Sequence, residues 1–326
     1  MQVADGGPIL CVTPNPALDR TLEVPNLRPG GILRAASVRV AAGGKGLNVA
    51  RALAALGVGS RSMGPLGGAS GKRLAGLAAE EGLDASWTWC EIETRTCLIL
   101  LDPVARLATV VNEPGPSLSS ADWRRFSEDV LAASEAAPGA STVCVSGSLP
   151  PGVPAEALAE LCGSLARAGR GRSVWVDSSG AALDAVLSTP GASLKINREE
   201  AEQTLGARLG DLGACVAAAR RLLARGASAV VLTLGADGAI AATLAGCWHA
   251  ASPPVESTSA VASGDSFLAG LVAALVSGRE LPEALRWGVA AGAANAVANG
   301  GARFTREGFD SVLSRVRSSP VSDSLS

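Results

Sequence analysis

The chain has 326 residues, 48% of them apolar, with a mean hydropathy of +0.29, so it can bury a large core and wholesale disorder is excluded. Lys and Arg number 28 against 30 Asp and Glu, a formal net charge of −2, which leaves no electrostatic footprint for a polyanion and argues against nucleic acid as a partner. The single histidine, His249, excludes a multi-histidine metal site and leaves one imidazole for any Ser-His-Asp triad, so chemistry falls to carboxylates, lysine, arginine and backbone amides.

In chain order, an apolar strand is predicted at 9–13, then a pair of strands at 21–24 and 33–40 with no helix between them. A helix opens near Gly46, a strand follows at 62–66 and a helix near Ser70. A second pair, 97–101 and 107–111, again lacks an intervening helix. From there strands and alanine-rich helices alternate: helix from near Ser119, strand 142–146, helix from Pro154, strand 173–177, helix from Gly180, strand 193–196, helices from Arg198 and Asp211, and strand 229–234. Helices near Asp265, Leu281 and Thr305 complete the series, and the serine-rich tail at 318–326 is expected to be frayed. The near-continuous apolar strands point to a mostly parallel sheet covered by helices on both faces, and the two pairs to a small separate sheet, a lid or an oligomer surface.

Seven cysteines (Cys11, Cys90, Cys97, Cys144, Cys162, Cys215 and Cys247) form no C-x-x-C pair, and most lie in apolar runs, as reduced cytosolic thiols do. The start MQVADGG carries no basic stretch and no apolar segment approaches a membrane span, so a soluble, cytoplasmic protein without membrane contact is expected. Neither G-x-G-x-x-G nor G-x-S-x-G occurs. The run at 66–72 imitates a Walker A loop, but Arg73 stands where Ser or Thr would hold magnesium, so a plain strand-to-helix turn is expected.

Four stretches can carry chemistry. The run AAGGKGLNVAR at 41–51 ends a strand and opens a helix, either as an ordinary glycine-rich turn or as a cradle where backbone approaches a ligand. In VASGDSFLAG at 261–270, Asp265 stands at the mouth of an apolar helix, either as an N-cap or as a proton acceptor beside an anion cradle of the Ala262, Ser263 and Gly264 amides. KINREE at 195–200 and TLGADG at 233–238 each follow a strand, where open α/β sheets bind ligands. Asn197 and Glu200, three apart, share a helical face suited to a hydrated magnesium ion, although Glu200 taken alone reads as a solvated helix residue.

Together these stretches resemble the ribokinase-like carbohydrate kinases, specifically their phosphofructokinase B branch. The similarity runs in order through NPALD at 15–19, GGKGLN at 43–48, TRT at 94–96, SGSLPPG at 146–152, DSSG at 177–180, KINREE, TLGADG and SGD at 263–265. The resemblance implies a three-layer α/β/α domain over 1–317, with a small β-sheet lid from about 20–41 and 95–112 that often pairs two subunits. It implies transfer of the γ-phosphoryl of ATP to a sugar hydroxyl, with Asp265 as base and the backbone of Ala262, Ser263 and Gly264 as anion hole. Asp19, Gly43, Gly44 and Asn48 would bind sugar hydroxyls. Lys195, Asn197, Thr233, Gly235 and Gly238 would face the nucleotide, and Asn197 and Glu200 would organise Mg2+ through water.

A substrate that already carries a phosphate needs positive charge at its far end. Arg95 is the main candidate, with Lys45 and Ser148 assisting and Arg34 on the lid a further cation. Within the branch the chain is most similar to the 1-phosphofructokinases, then to tagatose-6-phosphate kinases. Fructose 6-phosphate, a neutral sugar or nucleoside, and a non-catalytic sugar-phosphate binder are the alternatives. Three departures stand out: Ala262 and Ser263 replace the glycine and alanine usual before the Gly-Asp pair, Ile196 replaces the usual proline, and Ile32 occupies a lid position that is lysine in some relatives. If position 262 requires a positive φ, alanine there costs about 1 kcal/mol.

Overall fold

The computed structural model describes residues 8–136, 142–168, 173–298 and 301–321. In chain order the elements are β1 (Ile9–Val12), β2 (Ala17–Glu23), β3 (Ser37–Gly43), α1 (Lys45–Ala55), β4 (Ser60–Leu66), α2 (Gly68–Glu80), β5 (Ala85–Trp89), β6 (Arg95–Asp102), β7 (Leu107–Asn112), α3 (Ser120–Ala136) and β8 (Thr142–Ser146). They continue with α4 (Ala155–Arg167), β9 (Ser173–Asp177), α5 (Gly180–Leu187), β10 (Ala192–Asn197), α6 (Arg198–Leu205), α7 (Leu212–Leu223), β11 (Ala229–Thr233), β12 (Ala239–Thr243) and β13 (Gly246–Ala251). The last are α8 (Ser263–Val276), α9 (Leu281–Val297), α10 (Arg306–Leu313) and β14 (Arg317–Pro320).

A ten-stranded sheet runs β14-β13-β12-β11-β10-β9-β8-β1-β4-β5, parallel from β11 to β5 and antiparallel at the β12 to β14 end. Strands β1 and β8 are buried along their whole length, which explains why they read as unbroken apolar runs. One face packs α3 to α7 against residues such as Val143 and Leu194, and the other packs α1, α8, α9 and α10 around Cys11, Trp175 and Val231. The chain leaves β1 toward β4 on one side and returns to β8 on the other, so the order reverses at the β1/β8 boundary, where α/β sheets open a crevice.

A separate four-stranded sheet, β3-β2-β6-β7, stands over that crevice, and its strands are the two helix-free pairs of the sequence. Their bounds differ from the expected ones: β2 begins earlier, at Ala17, which puts Asp19 within the lid itself, and β3 begins later, at Ser37, and runs on to Gly43. The large sheet also gains β5, β12, β13 and β14, which periodicity did not reveal; β12 (AIAAT) is alanine-rich and of low strand propensity. The frayed tail is corrected in part. Residues 318–320 belong to β14, paired antiparallel with Trp248–Ala250 of β13, whereas 322–326 lie outside the described residues. The Walker-like run is a turn from β4 into α2. The seven cysteines are buried, and none of them is in a disulfide. Among the described residues no helix is long and apolar enough to cross a membrane.

Helices α8 and α9 pack backbone to backbone. A Cβ on Gly270 would lie 2.5 Å from the Trp287 carbonyl, and one on Gly288 would meet the Phe267 ring at 2.9 Å. Two larger residues there would wedge the helices apart and move the start of α8 away from the crevice.

Candidate active site

Two turns carry the site, one at the start of α1 and one at the start of α8. Gly44 enters α1 at φ 116, and a Cβ there would lie 2.7 Å from the Thr13 methyl, so the tight approach of α1 to β1 requires glycine. Gly43 abuts the Asp19 carboxylate across the β2/β3 ladder, leaving no room for a side chain. At α8 the N-cap is Ala262, held left-handed at φ 64 and ψ 12, so the strain anticipated for alanine is present.

The turn exposes amides. Ser263 N–H donates to the Ala260 carbonyl at 3.1 Å, so it does not serve the anion cradle expected of it. The amides of Ala262, Gly264 and Asp265 have no acceptor among the described residues. They point their positive ends out of the first turn of a 14-residue helix, an arrangement suited to phosphate. The turn is anchored by Asn295, fully buried on α9, whose Nδ2 donates to the Val261 carbonyl and to Ser263 Oγ, both at 2.9 Å, while its Oδ1 accepts from Ala302 N–H.

Asp265 is buried, and Asn48 Nδ2 donates to its Oδ2 at 2.8 Å. Burial raises its pKa above the ordinary carboxylate range, against the pull of Lys45 and Lys195 and the Asn48 hydrogen bond, and Asp177 adds to the rise. Asp177, wholly buried at the end of β9, accepts from Lys45 Nζ at 2.7 Å and from Lys195 Nζ at 2.8 Å. Burial opposes its charge, but the two lysines overcome this and hold its pKa down to about 2. Lys45 loses by burial too, yet the carboxylates of Asp177, Asp265 and Glu200 raise its pKa overall. Asp19 is pushed up to about 6 by burial, opposed by Arg51 and Arg95.

Asp19, Lys45, Asn48 and Asp265 open on a cleft of about 920 Å3. Asp19, Gly44, Lys45, Asn48, Arg95, Ser148, Glu200, Ala262 and Asp265 all line it, drawn from β2, α1, β6, the loop after β8, α6 and α8. Arg95 donates to the carbonyls of Glu113 at 2.7 Å and Asn15 at 2.8 Å, while its buried Nε has no partner and it makes no ion pair among the described residues. Its charged neighbour is Asp19, which interacts with it electrostatically without forming an ion pair.

Lys195 lies beneath the α8 turn, engaged by Asp177 and close enough that a Cβ on Gly264 would come within 2.9 Å of its Nζ. Asn197 and Thr233 are neighbours in register on β10 and β11, and Gly235 and Gly238 bound the turn that follows, at φ 64 and φ 90. These four form a second group on the adjoining strand ends rather than in the main cleft. Asn197 and Glu200 make a capping box for α6: Asn197 Oδ1 accepts from Glu200 N–H and Glu200 Oε2 from Asn197 N–H, both at 2.8 Å. Among the described residues no group of three His, Cys, Asp or Glu could enclose a metal. Glu200 keeps one carboxylate oxygen free of these bonds and lines the cleft, which suits a hydrated magnesium held by one carboxylate and by phosphates. Ile32 and Arg34 are exposed on the lid, and the His249 ring bonds the Asp237 carbonyl at 2.9 Å.

Sequence reasoning assigned no role to Asp177, Asn295 or Arg51. A lone asparagine in the alanine-rich run of α9 was the available signal for Asn295; nothing local marked Asp177 as the partner of two lysines.

Replacing Ala262 with glycine is expected to stabilise the protein by up to about 1 kcal/mol, because the left-handed φ then costs nothing. Thermal unfolding checks it. A lower midpoint for Ala262→Gly would mean that the alanine methyl contributes more than the strain removes.

The model of pfkB family carbohydrate kinases matches residues 15–307. A 1-phosphofructokinase of Xanthomonas campestris is 35% identical over 304 residues, 92% of this chain and 94% of its own length. The ATP-dependent 6-phosphofructokinase isozyme 2 of Escherichia coli is also 35% identical, over 298 residues, 91% of this chain and 94% of that enzyme. The crystal structure of phosphofructokinase-2 from Escherichia coli in complex with substrates and products superposes with a TM-score of 0.86 at 32% identity, covering 94% of this chain and 99% of that one. With a match across nearly its whole length, in a fold whose strand ends gather a buried aspartate and free helix amides, the chain belongs to the pfkB family of carbohydrate kinases.

Proposed function

We propose that the protein transfers the γ-phosphoryl group of ATP to a hydroxyl of a ketohexose phosphate, with fructose 1-phosphate as substrate and fructose 1,6-bisphosphate as product. One observation carries this reading: a single cleft holds both a buried carboxylate beside unpartnered helix amides and an arginine that forms no ion pair among the described residues and whose Nε has no partner. The first serves phosphoryl transfer and the second an anionic substituent.

In this mechanism Asp19 and Asn48 hold sugar hydroxyls, with Gly43 and Gly44 allowing the ring to approach the backbone, and Arg95, Lys45 and Ser148 take the substrate's own phosphate. Asp265 accepts the proton of the attacking hydroxyl as its oxygen forms a bond to the γ-phosphorus. The bond from that phosphorus to the bridging oxygen breaks, and the electron pair leaves with ADP. The amides of Ala262, Gly264 and Asp265 receive the charge on the transferring group. Lys195, Asn197, Thr233, Gly235 and Gly238 support the nucleotide. Glu200, with Asn197, would hold Mg2+ through water, and the ion would supply neutralisation of the phosphate charge.

The lid has an outward face as well. Val38, Leu98 and Val111 are exposed on it, and Leu98 and Val111 are paired directly across β6 and β7. Such a face fits the same face of a second copy, and a homodimer through the lid is expected. Light scattering should give twice the chain mass, falling to one chain mass for Leu98→Asp; a monomeric native protein would contradict it.

A substrate panel with ATP and Mg2+, scored by ADP release, tests the reaction. Fructose 1-phosphate should exceed fructose 6-phosphate and tagatose 6-phosphate, and all should exceed fructose and ribose. A preference for fructose 6-phosphate would move the reading to the activity named for the Escherichia coli isozyme. Asp265→Asn should lower kcat by about 100- to 10,000-fold with a smaller change in KM, since the base acts in the transition state. Ligand binding with no ADP release by the native protein would instead favour a sugar-phosphate binder. Arg95→Ala should raise KM for phosphorylated sugars by about 10-fold or more and leave ribose unaffected; equal loss on both would remove its role.

A further inference from the structure

Arg51 is buried, lies outside the sugar and nucleotide groups described above, and spends every arm of its guanidinium. Its Nη1 donates to Asn48 Oδ1 at 2.8 Å and to the Gly301 carbonyl at 3.3 Å, and its Nη2 to the Ala42 carbonyl at 2.7 Å. Its Nε donates to Glu81 Oε2 at 2.6 Å, and the other oxygen of Glu81 accepts from Arg303. One residue thus joins α1, the end of lid strand β3, the C-terminal end of α2 and the segment after α9.

Its contact with Asn48 has a chemical consequence. An asparagine amide has one accepting and one donating end. Because a guanidinium only donates, Arg51 claims the oxygen of Asn48 and turns the amide nitrogen toward Asp265, where it donates at 2.8 Å. Asn48 and Arg51 are three residues apart on one helix, so they face the same way, and Glu81 fixes the guanidinium from the opposite side.

We propose that Arg51, held by Glu81, is a positioning residue for phosphoryl transfer: through Asn48 it fixes the geometry of the Asp265 carboxylate, and through Ala42 it ties the root of the lid to that same point. The proposal rests on the kinase reading above. Asp265 is faced by Lys45 and Asn48 from α1, by Lys195 from β10, by Asp177 from β9 and, at longer range, by Asp19 from β2; Asp19 is faced by Arg51, Arg95 and Asp265. The Asn48 hydrogen bond lowers the pKa of Asp265, and the Arg51 charge lowers that of Asp19. Loss of Arg51 therefore raises both, and the acid limb of kcat/KM against pH moves to higher pH.

Arg51→Gln, Asn48→Ala and the double variant, assayed with ATP, Mg2+ and fructose 1-phosphate and normalised to folded protein by circular dichroism, test this. Arg51→Gln should lower kcat by about 10- to 100-fold, the scale of a small misplacement of catalytic groups, and shift the acid limb upward. In the Asn48→Ala background the same change should cost less than about 3-fold, because its route to Asp265 is already cut. Arg51→Lys, which keeps the charge on a single donating nitrogen, should fold and recover part of the loss; it carries the same test if Arg51→Gln does not fold. An unshifted pH profile with activity in proportion to folded protein, or fully multiplicative losses in the double variant, overturns the proposal. Full activity of Asp265→Asn would instead overturn the kinase mechanism itself, a separate outcome.

Discussion

A carboxylate without water must be paired, protonated or discharged, and this site holds two of them, Asp177 and Asp265, with two lysines between them. Asp177 takes both lysines at 2.7 and 2.8 Å and stays ionised far below neutrality. Asp265 is left with a neutral amide donor, and burial keeps its proton affinity high. Opposite displacement of two neighbouring acids is how a protein assigns one to structure and the other to proton transfer. Asp177 also fixes Lys195 under the α8 turn, so the amides above it face a positive charge from below as well as the helix dipole.

The fold exists in a form that makes this arrangement rigid. Reversal of strand order between β1 and β8 opens the crevice, and α8 presents its first turn there because α9 grips it along Gly270, Gly288 and Gly292. A Cβ on Gly292 would lie 3.1 Å from the Ser263 carbonyl, so the turn rests directly on α9, and Asn295 bonds it from the same helix. The lid reaches the site through backbone rather than through a hinge of its own: Gly43 ends β3 against Asp19 and leads at once into Gly44 and α1.

The central strands and all ten helices described were legible in the sequence, because fully buried parallel strands read as apolar runs and their flanking helices as alanine-rich amphipathic segments. Of the strands that periodicity missed, β5, β13 and β14 lie toward the ends of the sheet and are only partly buried, whereas β12 is buried but alanine-rich and of low strand propensity. The motifs led to Asp19, Lys45, Asn48, Arg95 and Asp265, which do meet in one cleft. What could not be read were partners joined across long separations: Asp177 with Lys45 is 132 residues apart, and Asn48 with Asp265 is 217. Local chemistry names candidates, but only the fold decides which lysine neutralises which acid, and it was the fold that withdrew the Ser263 amide from the anion cradle.

The most direct test of the account is a crystal structure of the protein with fructose 1-phosphate and a non-hydrolysable ATP analogue. A free sugar hydroxyl is expected about 2.6–3.2 Å from an Asp265 carboxylate oxygen, with the terminal phosphate against the Gly264 and Asp265 amides and the sugar's own phosphate on Arg95. A sugar bound with its hydroxyls away from Asp265, or a terminal phosphate remote from the α8 turn, would contradict it.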